Sequence, residues 1–223
     1  MNGRAMPSWT YSRLDAFTTC PRQFYHKSVI KDVADPPTVH TKWGHDVHEA
    51  LEHAVRDGKD LPQGMTQWAP IVAKFRAAPG DKLLEYKFAV GRDMQPAAWD
   101  DAWSRGIADG VIINGTKALT FDWKTGKRKP TDQLSLYAAY IFAHYEEVQT
   151  VATSFVWLKE NKLDNAKFER RDLGAIWDNL MPRIVRLERA YEKDEWQPKP
   201  SGLCNGWCPV GRDKCEFWKP KRS

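Results

Sequence analysis

Apolar residues recur along the chain at two different periods, and the switch between them organises it. In TKWGHDVHEALEHAVRDG (41–58), Val47, Leu51, Ala54 and Val55 fall at helical spacing and Gly58 supplies a stop. Ahead of it, SRLDAF predicts a helix start, with Ser12 as N-cap and Asp15 at the third helical position, and Pro21 in CPRQFYHK predicts its end. Residues 59–80 hold LPQGM and AAPG and predict a loop, a short helix around 67–77 and a turn. From 81 the period shortens. KLLEYKFAVG and WSRGIADGVIING predict two strands, the second closed by an Asn-Gly turn, and KALTFDWK predicts a third. TDQLSLYAAYIFAHYE returns to the helical period, with Leu134, Tyr137, Ala138 and Ile141 in register. TVATSFVWLK predicts a fourth strand and NAKFERR a short fifth. DLGAIWDNLMPRIVRLERAYEKDE predicts a long closing helix kinked at Pro182, and the tail WQPKPSGLCNGWCPVGRDKCEFWKPKRS has no period at all. The order describes an α/β protein, a mixed sheet flanked by helices in one domain. That domain has a helical N-terminal segment (1–80), an α/β core (81–172), and a closing helix with a cysteine tail (173–223).

Composition adds little until the cysteines are placed. A formal charge of +5 on 223 residues, with a pI near 8.9, permits an anionic partner without requiring one. No run approaches the roughly 20 apolar residues of a membrane helix, and the first 30 residues hold no uninterrupted apolar run of the signal-peptide kind. The expectation is a soluble, cytoplasmic protein with no membrane partner. Cys20 stands alone near the N-terminus, while Cys204, Cys208 and Cys215 crowd the tail. In a reducing compartment that clustering reads as metal ligation rather than as two disulfides. The eleven tryptophans are expected mostly in core or interface positions.

The candidate chemistry lies where charge interrupts apolar periods. Asp122 and Lys124 are two apart on the third strand, so they share a face. Taken alone, they also fit a surface ion pair at a strand end. Asp109 inside GIADGVII and Glu85 inside LLEYKF are costly to bury without compensation, and His48 sits mid-helix beside the apolar stripe. HEALEH resembles a zinc-protease helix only superficially, because His48 and His53 are five apart, about 140° around a helix. His45 and His53 are expected to face solvent. KTGKRKP lacks the pattern of a phosphate loop, so Lys127, Arg128 and Lys129 read better as a basic rim for a nucleic-acid backbone.

Taken in order, GHDVHEALE, the strand glutamate, GIADGVI, FDWKTGK and QLSLY resemble the PD-(D/E)XK nucleases. The closest group is the RecB-type exonucleases, including CRISPR-associated and phage members. YSRLDAFTTCPRQFYHK and the C-terminal cysteines extend the resemblance from about residue 8 to 218. It implies a restriction-endonuclease-like core and a metal-dependent DNA exonuclease, in a host cytoplasm if phage-encoded. His48, Asp109, Asp122 and the backbone carbonyl of Trp123 would bind Mg²⁺ or Mn²⁺, the histidine favouring manganese. Lys124 would activate the attacking water and stabilise charge on the phosphate, with Asp122, Asp109 and Glu85 as the acids of the catalytic set. Gln133 and Tyr137 match the Q-x-x-x-Y motif and would contact DNA beside the site. By the same resemblance Cys20, Cys204, Cys208 and Cys215 would hold a 4Fe-4S cluster. Four thiolates also suit zinc, and the gaps of three and six residues differ from the family's two and five. An endonuclease, or a non-catalytic DNA-binding or scaffold protein with this fold, is the alternative. Oligomerisation is left open.

Overall fold

The computed structural model describes residues 5–34, 39–129 and 131–220; Pro130, at the end of the basic loop, lies outside them. The chain divides into two compact units, one of Met1–Pro36 with Asp178–Ser223 and one of Pro37–Trp177.

The second unit is built on a five-stranded sheet in the order β1-β2-β3-β4-β5. Its strands are β1 (Asp81–Val90), β2 (Ser104–Asn114), β3 (Lys117–Lys124), β4 (Thr150–Trp157) and β5 (Lys162–Glu169). All neighbours run antiparallel except β3 and β4, which are parallel. A parallel pair needs a crossover, and α5 (Gln133–His144) provides it. The result is a mixed α/β fold of the restriction-endonuclease-like kind, as expected from the alternation of periods.

Helices α3 (Val39–Asp57) and α4 (Ala69–Ala77) close one core. The stripe Val47, Leu51, Ala54 and Val55 is fully buried, together with Val72 and Phe75, against Ile112, Phe121 and Trp123. The rings of Phe75 and Phe121 stack with centroids 4.0 Å apart. This packing needs a glycine at 110, because a Cβ there would stand 2.0 Å from the tip of the Phe121 ring. The other core is α5 itself, whose Leu136, Ala138, Tyr140 and Ile141 are almost wholly buried. Tyr140 stacks on Phe88 and its hydroxyl meets Ser104 Oγ at 2.5 Å. At the far end of α5 the Arg170 guanidinium donates to the carbonyls of Phe142, Tyr145 and Val148, which fixes where the helix stops.

The first unit holds α1 (Tyr11–Thr19), α2 (Pro21–Phe24) and the later part of α6 (Leu173–Lys193). Its centre is aromatic: Phe17 meets Phe24 edge-on at 5.8 Å, and Tyr191 meets Trp196 edge-on at 4.9 Å. Asp32 pairs with His26 at 3.0 Å and with Lys214 at 2.9 Å, drawing the tail onto the N-terminal segment. The tail also forms short 3₁₀ turns at Gly202–Cys204 and Arg212–Lys214 and an isolated parallel bridge between Asn205 and Lys219.

Two local expectations are corrected, the N-cap of α1 and the bounds of the fifth strand. Thr10, not Ser12, caps α1: its hydroxyl accepts the Arg13 N–H, which leaves Ser12 inside the helix. Pro21 follows the end of α1 at Thr19 and occupies the first position of α2, where its missing N–H has no intrahelical partner to lose. The fifth strand begins at Lys162 and pairs with β4 along its whole length, Trp157↔Lys162 to Thr150↔Glu169. It is an edge strand, and its charged residues hide the alternation that would reveal it. Pro182 lies within α6, which is continuous around it. Among the described residues no helix is long and apolar enough to cross a membrane.

Candidate active site

Helix α3 and strands β1 and β2 bring three ligand-bearing side chains together. His48, Glu85 and Asp109 each offer an atom, and these atoms all lie within 4.8 Å of one another. They sit in the wall of an open cleft of about 990 Å³, with Glu52, His53 and Lys127 also in its lining. His48 is placed there because Val47 and Leu51 anchor its helix in the core. Gly44, one turn earlier, lets the start of α3 approach the loop after β3; a Cβ on it would stand 3.3 Å from Thr125 Oγ1.

Asp109 is the hub. One carboxylate oxygen faces His48 Nδ1 at 3.1 Å and the other accepts the Trp123 N–H at 2.5 Å. That second bond ties β2 to the main chain of β3 beyond their last registered pair, Gly110↔Phe121. Burial lowers the proton affinity of the His48 imidazole, but the carboxylates of Asp109, Asp122 and Glu85 outweigh it and raise its pKa above the ordinary value.

Glu85 reaches the site through an unusual backbone. Leu84 pairs with Gly110 and Tyr86 with Ala108, so Glu85 stands opposite Asp109, and its φ is 49°. A left-handed glutamate inside a strand costs about 1–2 kcal/mol, and it faces a second acid across the ladder. Burial, then the Asp109 charge, pushes its carboxyl pKa up. A cation bound between the two carboxylates would offset their repulsion. Glu85→Gly should therefore stabilise the metal-free protein by about 1 kcal/mol, a rise of a few degrees in Tm. It should also shrink the further rise that Mn²⁺ produces. Thermal unfolding with Mn²⁺ and with a chelator measures both, and an unchanged Mn²⁺ shift would remove Glu85 from the ligand set.

Asp122 faces away from this trio toward α5. Its Oδ1 lies 3.0 Å from the Tyr137 hydroxyl, whose single proton is shared with the carbonyl of Ile107, also at 3.0 Å. Its Oδ2 stands 2.6 Å from Lys124 Nζ yet is buried without a hydrogen bond of acceptable angle. Burial, reinforced by Asp109, raises the Asp122 pKa to about 6 against the pull of Lys124. Gln133 joins the network, with Oε1 3.4 Å from Lys124 Nζ and Nε2 donating to Tyr137 at 2.9 Å. Lys124 also lies over the Phe155 ring at 4.7 Å, so its ammonium is held on three sides.

The site residues expected from the sequence thus fall into two adjoining sets, His48–Glu85–Asp109 and Asp122–Lys124–Gln133–Tyr137, joined through Asp109 and Trp123. Tyr137 is 4% exposed. Of the basic rim, Lys127 lines the cleft, whereas Arg128 is held by Asp164 on β5, donating from Nε to Oδ2 at 2.8 Å and from Nη2 to Oδ1. Lys129 is exposed. His45 is exposed as expected, yet it lines the same cleft as His53. The donor set suits a hard divalent cation, because two carboxylates and an imidazole converge. In the other unit, Cys20, Cys204, Cys208 and Cys215 all line one small cavity.

This arrangement places a candidate metal-ligand cluster on an α/β core beside a strand-end Asp-Trp-Lys. Residues 8–215 match the PD-(D/E)XK nuclease superfamily, and the chain belongs to that superfamily. No curated protein matches it. Among solved structures, it resembles the "Putative exonuclease" from Eubacterium rectale at 11% identity, covering 90% of this chain and 87% of that one, with a TM-score of 0.55. It also resembles SSO0001 at 15% identity, covering 93% and 85%, with a TM-score of 0.49.

Proposed function

We propose that the protein is a metal-dependent DNA exonuclease of the RecB type. The observation behind this reading is the convergence of His48, Glu85 and Asp109 within 4.8 Å, one strand away from the Lys124–Asp122 pair. A divalent cation held by His48, Asp109, Asp122 and Glu85, with the Trp123 carbonyl as a further ligand, would neutralise phosphate charge and make water acidic enough to attack at neutral pH. The chain does the rest. Lys124 steers the attacking water and offsets charge on the phosphate oxygens. Tyr137 and Gln133 hold Asp122 and Lys124 in place, and Lys127 meets the backbone of the strand.

The preference for free ends follows the motif order and the exonuclease named among its structural neighbours. DNA labelled at one end and then at the other, digested with Mg²⁺ or Mn²⁺, tests it. Prompt release of mononucleotides or short oligonucleotides from one labelled end is expected. Internal cuts in a closed circular substrate would make the protein an endonuclease instead.

The superfamily match spans both compact units, which supports reading 1–223 as one nuclease domain. The four cysteines are read as a structural metal centre. In support, Cys20, Cys204 and Cys208 each accept an N–H at 3.4 Å, from Lys199, Ser201 and Gln23. Such bonds orient and stabilise metal thiolates. Among the described residues no three cysteine sulfurs lie mutually within 4.8 Å. Four thiolates on one zinc stand about 3.8 Å apart, from the ~2.3 Å bond and tetrahedral angle. Four thiolates satisfy either one zinc ion or a 4Fe-4S cluster with one thiolate per iron. Iron and zinc content of the purified protein decides between them.

A further inference from the structure

We propose that Trp43 is a base-stacking platform and that the cleft above the acids takes an unpaired DNA strand. This rests on the nuclease reading and adds to it the kind of strand that enters. Trp43 is 45% exposed on α3, an unusual place for the most costly side chain to leave in water. It lines the cleft that holds His48, Glu85 and Asp109, and it also lines a second cleft of about 540 Å³. Thr125 and Lys159 belong to both linings, so the two form one continuous groove with the indole at their junction. Lys127 and Lys159 supply cations along it, and Gln67 and Asn161 supply polar groups at its far end.

Gly44, the residue after Trp43, brings this turn of α3 against Thr125, which directly follows Lys124. A ring on a rigid helix loses little entropy when a base stacks on it. Inside a duplex the base faces are already stacked on each other, so away from the duplex ends only an unpaired base has a face to offer. Cations along the backbone path with an aromatic ring beside it are the elements by which proteins hold single strands without reading their sequence.

The test is binding of a short fluorescent oligodeoxythymidylate by the whole protein, with Ca²⁺ replacing Mg²⁺ to prevent hydrolysis. Trp43→Ala, Trp43→Leu and Trp43→Phe are compared with wild type. Loss of one stacked base predicts roughly five- to hundred-fold weaker binding for Trp43→Ala. Trp43→Leu should fall as far, because it is apolar but not planar, and Trp43→Phe should stay close to wild type. An abasic strand of the same length should bind all four proteins alike, and blunt duplex DNA should be indifferent to the change. Unchanged oligonucleotide binding by Trp43→Ala, or equal rescue by Leu and Phe, would overturn the stacking role. A comparable loss on duplex would overturn the single-strand preference. If the wild-type protein bound none of these DNAs, the nuclease reading itself would fail, a result distinct from binding that ignores Trp43.

Discussion

Lys124→Ala should lower the rate of phosphodiester hydrolysis by about 10²- to 10³-fold, the usual consequence of removing one group aimed at developing negative charge. DNA binding should stay within a few-fold of wild type. Lys124 is the cation of the second set: its ammonium lies 2.6 Å from Asp122 and 3.4 Å from Gln133, above the Phe155 ring. Its loss has a second effect. Asp122, 5% exposed and with a pKa already raised to about 6, would be left without its counter-charge. The carboxyl would hold its proton to higher pH, and the variant should be less stable than wild type at pH 8 by about 1–2 kcal/mol. Lys124→Arg should recover that stability but not the rate, because a planar guanidinium cannot replace a compact ammonium at this contact. Single-turnover hydrolysis of end-labelled DNA, alongside thermal unfolding, separates the two effects. Hydrolysis that survives Lys124→Ala unchanged would remove this residue from the chemistry.

Much of the site was legible in the sequence because charge is expensive in apolar surroundings. Asp109 and Asp122 interrupt strands, His48 breaks an apolar stripe, and Gln133 and Tyr137 repeat at one helical turn. The structure gathers all five around two adjoining centres. The illegible part is conformational. Nothing in LLEYKF signals a left-handed Glu85, since glutamate has no intrinsic preference for positive φ; the surrounding ladder imposes it. Nor does spacing say that Asp122 turns toward Lys124 and Tyr137 while Glu85 completes the close trio with His48 and Asp109. Alternation tells which face of a strand a residue occupies, not which neighbour its carboxylate will meet. Trp43 was likewise submerged among eleven tryptophans, most of which are core residues as expected. Only exposure and the groove around it set it apart.

Asp109→Asn should abolish activity, a loss of at least about 10³-fold, while making the metal-free protein more stable at neutral pH. The amide keeps the shape of the carboxylate and an oxygen able to accept the Trp123 N–H, so the β2–β3 tie survives. It gives up the charge that helps raise the Asp122 and Glu85 pKa values. The sign follows from linkage. An acid whose pKa is about 6 in the folded state and near 3.8 when unfolded binds more protons folded than unfolded across that interval. Stability is then highest below about pH 4 and is lost as the pH rises through 6. Removing the Asp109 charge relieves part of that loss, on the order of 1 kcal/mol above pH 7, whereas near pH 4 the variant loses the pairing of Asp109 with protonated His48 and should be the less stable protein. Chemical denaturation of both proteins in chelator at pH 4 and pH 8 measures the difference. With Mn²⁺ at pH 8 the order should reverse, since a cation held at about 100 times its Kd adds about 2.7 kcal/mol to the wild type alone. A variant stabilised by Mn²⁺ as strongly as wild type would show that Asp109 is not a ligand and that its burial beside His48 serves the fold instead.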